Sequence, residues 1–584
     1  MIQNIFKIFL SLTKLERQIV LGSGLVFVTS SLIFGFLFFT RITFVLPAYG
    51  GTYKEGLIEQ PVFINPVLAT SDVDKDIINL IYSNLFDISE SVKVADNKLV
   101  WNIRLKEGVL WHDNIPFTAD DVIFTIQSIH DRESRSPISI TWDGISVERL
   151  SELEIKLTTS APYAFFEDNL KQLYILPKHI FEDVPLANWR SSSFNLQPIG
   201  TGPYKWVSHE QEKSGFISDY QLTRNENYFG HQPYIENIEL LFFKNEESAI
   251  SSFNMARIDG LAGVSPSNLA RLTRFNNTHE LHMPSYYAIF LNQSTNELLK
   301  NKNVRQALNY ATPKKEIIEK VFNMRATEPT GPLPYSGVKA PEIDLLSSYD
   351  IEKANQILDD GGINIDKNGT RGKITLVVPN MPFLVSSSEI IKENWSKLNL
   401  EIEVLIIEPA LINDEIIKTR NYDAILFGNA LARNPDIISF WHTKERFYPG
   451  QNLSLYSNKT VDSLLESVRQ DFDSESRLSR LLKLQSQIIQ DIPAIFLFSP
   501  NYIFITSTKV KGINELVITN PSDRLLKIGS WYLKTKRSFS NTKATSTTST
   551  SINSLKLHKN DQNQENENGG VSTPKATTTP AKSE

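Results

Sequence analysis

His112 and Asp113, followed by Asp120 and Asp121, gather an imidazole and three carboxylates in one short stretch. These are the usual ligand and proton-carrier types of metal and acid–base sites. The local pattern gives all four another use, since His112-Asp113 falls in a turn and the two later aspartates follow Thr118 at a helix start. A second oxygen-rich run, Asn364, Asp366 and Asn368-Gly369, imitates the opening of a calcium loop. Its twelfth position is Thr375 where that loop needs a bidentate glutamate, so a polar hairpin turn is expected. His209-Glu210 lacks the second histidine of a zinc-protease helix, and neither a G-x-S-x-G elbow nor a phosphate-binding P-loop occurs. No catalytic residue, no metal site and no cofactor are expected.

The elements that carry the first cluster are legible. Trp101, Ile103 and Leu105 alternate with Asn102, Arg104 and Lys106, the period of a half-buried strand, and Gly108 breaks it. Thr118 can accept an orphan backbone N–H of a helix starting at Ala119, with Asp120 and Asp121 at its positive end. Val122, Ile126 and Ile129 give that helix one apolar face.

The chain has 584 residues, 41% hydrophobic and 22% charged, which is too long for one core and predicts two or three lobes. A formal net charge of −6 and the lack of a basic stripe give no reason to expect a nucleic-acid partner. Cysteine is absent, which removes disulfides and thiolate chemistry. The uncharged run Ile19 to Thr40 is about 33 Å long as a helix, enough to span a bilayer core. Its length and the poor cleavage site at Leu46-Pro47-Ala48 favour an uncleaved signal anchor over a cleaved signal peptide. Lys7, Lys14 and Arg17 before the run place the N-terminus, residues 1–18, in the cytoplasm. Residues 538–584, poor in aromatics and rich in Ser, Thr, Asn and Lys, are expected to be a disordered tail.

Several stretches in order, WNIRLKEGVLWHDNIPFTADDVIFTIQSI, Ile199-Gly200-Thr201-Gly202-Pro203-Tyr204, NVRQALNYA before Thr312-Pro313, Asp350 with IEKANQIL, and Pro493-Ala494-Ile495-Phe496-Leu497-Phe498, resemble signatures of one family. It is family 5 of the extracellular solute-binding proteins, the dipeptide and oligopeptide receptors of bacterial ABC importers. GTYKEGLIEQPVFINPVL is similar to that family's opening strand and turn. The resemblance implies an α/β fold of the periplasmic-binding-protein type II kind, with two main lobes around a cleft plus an extra lobe, here preceded by one transmembrane helix at 19–40. The implied first lobe is discontinuous, 48–86, 194–291 and 487–536; the extra lobe is 87–193 and the third lobe 292–486. The lipid-attachment cysteine of many such receptors is missing, so the helix must anchor.

The family implies a ligand-binding aspartate on the loop after the strand that starts near Tyr422-Asp423-Ala424. Here the loop reads Arg433-Asn434-Pro435-Asp436, so Asp436 is either an ammonium contact or a cap for the helix that follows. Asn434 could hydrogen-bond a neutral ligand, and Arg433 could meet an anionic group. Trp441, between Phe440 and His442, suits either a cleft wall or a core. Glu59 and Gln60 end the first strand of that lobe, where the family lines its cleft. The implied function is capture of oligopeptides outside the cell and delivery to an ABC permease, by a monomer on the outer face of the cytoplasmic membrane. The alternatives are another solute, such as a nickel chelate or an oligosaccharide, or a surface hydrolase or scaffold.

Overall fold

The computed structural model describes residues 11–334, 349–431 and 433–539. Most of the expected tail, from residue 540 on, lies outside the described residues, as does Lys7. The N-terminal helix runs Lys14–Ile42, longer than the uncharged run, because Thr13 and Glu16 close a capping box one turn earlier. Glu16 N donates to Thr13 Oγ1 at 3.4 Å and Thr13 N to Glu16 Oε2 at 2.8 Å. None of its side chains is buried, and it is long and apolar enough to cross a membrane. Thr43 then turns the chain into strand Phe44–Ala48, which pairs antiparallel with the last strand, Lys534–Ser538.

Three further sheets organise the body. The seven-stranded sheet centres on Thr52–Ile58, which pairs parallel with Asn237–Phe243 and with Gly260–Ala262. Its other strands include Tyr204–Gln211, Ile217–Arg224, Asn276–Leu281 and Tyr502–Ser507, so distant stretches of chain build it. The six-stranded sheet contains Ser285–Leu291, Gly372–Pro379, Leu400–Ile407, Ala424–Ala430 and Ala494–Pro500. Both its faces are covered, since Ile289 and Leu291 point into one cluster while Ala288 and Phe290 point into another. The chain passes between these two sheets twice, from Leu281 to Ser285 and from Pro500 to Tyr502.

The four-stranded sheet holds Ser89–Val94, Val100–Leu105, Ile145–Arg149 and Glu154–Thr159. Trp101, Ile103 and Leu105 are buried as the alternation predicts. This sheet does not own a separate core. Its buried side chains join those of one face of the seven-stranded sheet, among them Tyr53 and Phe504 with Trp531 packed on both, in one continuous cluster.

The helix Ala119–His130 starts where the sequence places it, with Asp120 N donating to Thr118 Oγ1 at 3.3 Å. Asp121 is more than an N-terminal acid, because its buried carboxylate accepts from Thr118 N at 2.9 Å and from Lys178 N at 2.9 Å. His112 also has a larger task. Its Nδ1 accepts from Gly200 N at 3.2 Å and its Nε2 lies 3.1 Å from Gly202 O, which fixes the neutral tautomer with the proton on Nε2. Burial pushes the imidazole down to about 4, in keeping with a neutral ring. The two glycines are needed for room, not for unusual angles: a Cβ on Gly202 would stand 2.6 Å from the Ile81 carbonyl, and one on Gly200 would overlap it. Neither has positive φ.

Asp366 accepts from Asn368 N at 2.8 Å and from Thr370 N at 3.0 Å, with Gly369 at φ 81°. That is a tight polar turn whose oxygens serve its own backbone.

Candidate interlobe site

Strand Ala424–Ala430 delivers the loop, and the short helix Ile438–Trp441 takes it away. Asn434 is almost fully buried, and its Oδ1 accepts from Asp436 N at 3.2 Å, which folds the loop around Pro435. Asp436 then uses both oxygens. Oδ1 accepts from Ile438 N at 3.3 Å, a cap on the following turn. Oδ2 accepts from the Tyr163 hydroxyl at 3.0 Å, and Tyr163 sits just beyond the four-stranded sheet. Arg469 Nε stands 3.0 Å from the same Oδ2 but off the donor direction, so the attraction is ionic and no hydrogen bond forms. The Arg469 guanidinium lies over the Tyr163 ring at 5.0 Å. Burial, reinforced by Asp436, pushes the Tyr163 hydroxyl well above its usual range, so it stays a donor.

Arg433, at the other end of the loop, reaches toward the seven-stranded sheet. Its Nη2 is 3.0 Å from Asp523 Oδ2. Asp523 also accepts from Thr519 N at 2.9 Å and Asn520 N at 3.2 Å, so the turn around Pro521 holds the carboxylate in place. Beside it, Tyr174 donates to Asn79, whose amide donates to Ser522 O at 2.9 Å. The loop Arg433 to Asp436 therefore touches the four-stranded unit through one end and the seven-stranded unit through the other.

Asp436, Asn434, Tyr163 and Arg469 line a crevice of about 550 Å³ together with Asp143 and Glu466. Three carboxylates stand against one guanidinium, a field that favours a cationic group. Ile140, Ile145, Pro162, Phe166 and Ile438 also line it, so the crevice offers apolar wall beside its charged groups.

The structure separates the sequence-predicted residues into groups. Arg433, Asn434 and Asp436 come together, with Arg433 paired to Asp523. Trp441 is fully buried against Phe290, Tyr456 and Phe496, with ring centroids 6.0 to 6.4 Å away. It is the floor of the loop, and the cleft-wall alternative is corrected because no part of the ring reaches solvent. Glu59 and Gln60 lie elsewhere. Glu59 is exposed, in left-handed backbone at φ 74°, while its N–H donates to Phe243 O at 2.8 Å. Gln60 Oε1 accepts from Ile217 N at 2.7 Å, so its amide extends the sheet. Neither lines the crevice. Tyr163, Arg469 and Asp523 were missed by sequence reasoning. Asn520-Pro521-Ser522-Asp523 does carry the spacing of a capping box, but nothing local marks its partner.

The profile of the bacterial extracellular solute-binding proteins, family 5 Middle, matches residues 64–446. The chain belongs to this family. Among the family 5 relatives, the oligopeptide-binding protein AppA of Bacillus subtilis is 27% identical over 83% of this chain and 92% of its own length. The dipeptide-binding protein of Escherichia coli is 21% identical over 77% of this chain and 90% of its own. Among solved structures, AppA from Bacillus subtilis in complex with a nonapeptide has a TM-score of 0.65 at 26% identity, covering 84% of this chain and all of that one. NikZ from Campylobacter jejuni in complex with Ni(L-His) has a TM-score of 0.66 at 25% identity, covering 82% and 99%. The fold is the periplasmic-binding-protein α/β fold, and the family is one of solute-binding proteins, not of enzymes.

Proposed function

We propose that this family 5 protein captures oligopeptides between its lobes at the outer face of the cytoplasmic membrane and hands them to an ABC permease. The observation that carries the reading is the loop Arg433 to Asp436, which contacts the four-stranded unit through Tyr163 and the seven-stranded unit through Asp523. Such contacts exist together only when the units are closed on one another, so a ligand bridging them favours that state by its extra affinity for it. Asp436 receives the peptide's α-ammonium, sharing it with the crevice acids, while the peptide backbone pairs with strand edges. The lobes that go with this reading are 48–86, 194–291 and 487–536, then 87–193, then 292–486. The helix Lys14–Ile42 is the anchor, and the protein works as a monomer.

Oligopeptide is preferred because AppA, whose solved structure holds a nonapeptide, matches almost end to end. Titration calorimetry with free-amine peptides and with the same peptides N-acetylated tests both parts. Binding that acetylation weakens is expected; no binding by any peptide sinks the assignment. Ni(L-His), the ligand held by NikZ, belongs in the same screen as the rival solute. A ligand at a hundred times its dissociation constant should add about 2.7 kcal/mol to stability.

A further inference from the structure

The spanning helix does not end in a flexible linker. One residue after Ile42 the chain enters strand Phe44–Ala48, and all five of its positions pair with Lys534–Ser538. The first and last strands of the folded part therefore form a ribbon directly on the helix end. Arg537 locks the joint, since its Nη1 donates to Thr43 Oγ1 at 3.0 Å and to Thr40 O at 3.3 Å, and its guanidinium lies over Phe39 at 5.9 Å. Phe539 meets Phe39 edge-on at 5.9 Å while remaining 69% exposed.

The exposed side chains of this joint sort by polarity. Phe44, Val45 and Phe539 continue the apolar surface of the helix to its very end. Arg41 and Lys536 are also exposed, and no ion pair holds either of them among the described residues. Lys536 pairs across from Leu46, about 13 Å along the strand beyond Ile42. A headgroup layer of about 6 Å and a screening length of about 8 Å leave an ammonium on a long side chain at that level inside the surface potential.

We propose that this ribbon, with Arg41 and Lys536, is a basic collar that seats on anionic phospholipid headgroups while Phe44, Val45 and Phe539 enter the acyl boundary. The collar fixes how the folded body stands on the membrane. It rests on the reading that Lys14–Ile42 spans the bilayer. Apolar groups at the boundary set the depth, and the flanking cations make the seating depend on lipid charge.

The test uses the full chain in nanodiscs, and the absence of native cysteine makes single labels clean. A fluorophore on Thr535→Cys reports the ribbon and one on Phe27→Cys reports the span, each with a doxyl-lipid quencher. Quenching at position 535 is expected to rise at least twofold from phosphatidylcholine to discs with one-third phosphatidylglycerol. In Arg41→Gln/Lys536→Gln that rise should vanish while quenching at position 27 stays. Strong quenching at 27 with equal quenching at 535 in both lipids overturns the collar alone. No quenching at 27 overturns the span and the collar together. A rise at 535 that survives the double substitution overturns the assignment to these two cations.

Discussion

Asp523 and Arg524 are neighbours in the chain, yet they do opposite things. Arg524 is fully buried, donating to Glu55 Oε1 at 2.6 Å and to Asp76 at 2.7 and 2.8 Å. All three residues belong to the seven-stranded unit and its adjoining elements, so the cluster persists whether or not the lobes are closed. Asp523 faces the other way and meets Arg433, which is about one-third exposed and comes from the six-stranded unit. On the proposed closure reading, that pair breaks when the units part. The same kind of charge pair thus lies sealed within one unit in one place and crosses between units in the other, where the proposed reading makes it a closure contact.

The sharpest way to break this comparison is Arg524→Met. It leaves Glu55 and Asp76 buried without their cation and should cost about 3–5 kcal/mol in urea unfolding. A loss below about 1 kcal/mol would mean that the cluster is not dry. Next in size is the proposed ligand site, where Asp436→Asn should lower affinity for free-amine peptides by about 1.5–3 kcal/mol and leave N-acetylated peptides nearly unaffected. Equal losses for both peptides would remove Asp436 from ammonium binding and leave it as a cap.

Titration sharpens the contrast within the permanent core. His112, held down to about 4, binds fewer protons folded than unfolded, so its contribution is full above about 6.5 and is lost as pH falls toward 4. Burial pushes Asp76 up to about 6 against the pull of Arg524. Its contribution runs the other way, present below about 3.8 and lost as pH rises through 6. The two oppose each other between pH 4 and 6. Unfolding midpoints of His112→Gln should therefore rise on acidification across that window, and those of Asp76→Asn should fall more steeply than wild type. Parallel curves for all three would refute both assignments. The smallest effect is expected from Arg433→Ala, a partly exposed pair worth about 0–1 kcal/mol to stability. Its readout is closure: small-angle scattering of the unliganded variant should show a more open population, while the Arg524 cluster stays intact.

How much was legible follows the range of the interactions. The strand at Val100–Leu105 and the helix from Ala119 were readable because period and capping are properties of consecutive residues. The loop within Tyr422 to His442 was legible as a candidate site, but not as a geometry. Tyr163 and Asp436 are 273 residues apart, and nothing near either one announces the other. Trp441 looked the same whether wall or floor, since an aromatic beside a loop satisfies both patterns. The Gly200 and Gly202 positions were noticed, yet their reason is the Ile81 backbone packed against them, which no local pattern contains.

By itself the sequence determined the family, the apolar helix, the order of the elements and the absence of thiol chemistry, because each depends on residue identity and short spacing. The tertiary structure alone decided that Asp523 bridges units while Arg524 is sealed within one, and that His112 ties its turn to Gly200 and Gly202. It also decided that the first and last strands meet at the helix end. Those outcomes depend on which distant surfaces exclude water from each other, and burial is a property of the assembled fold, not of any segment of it.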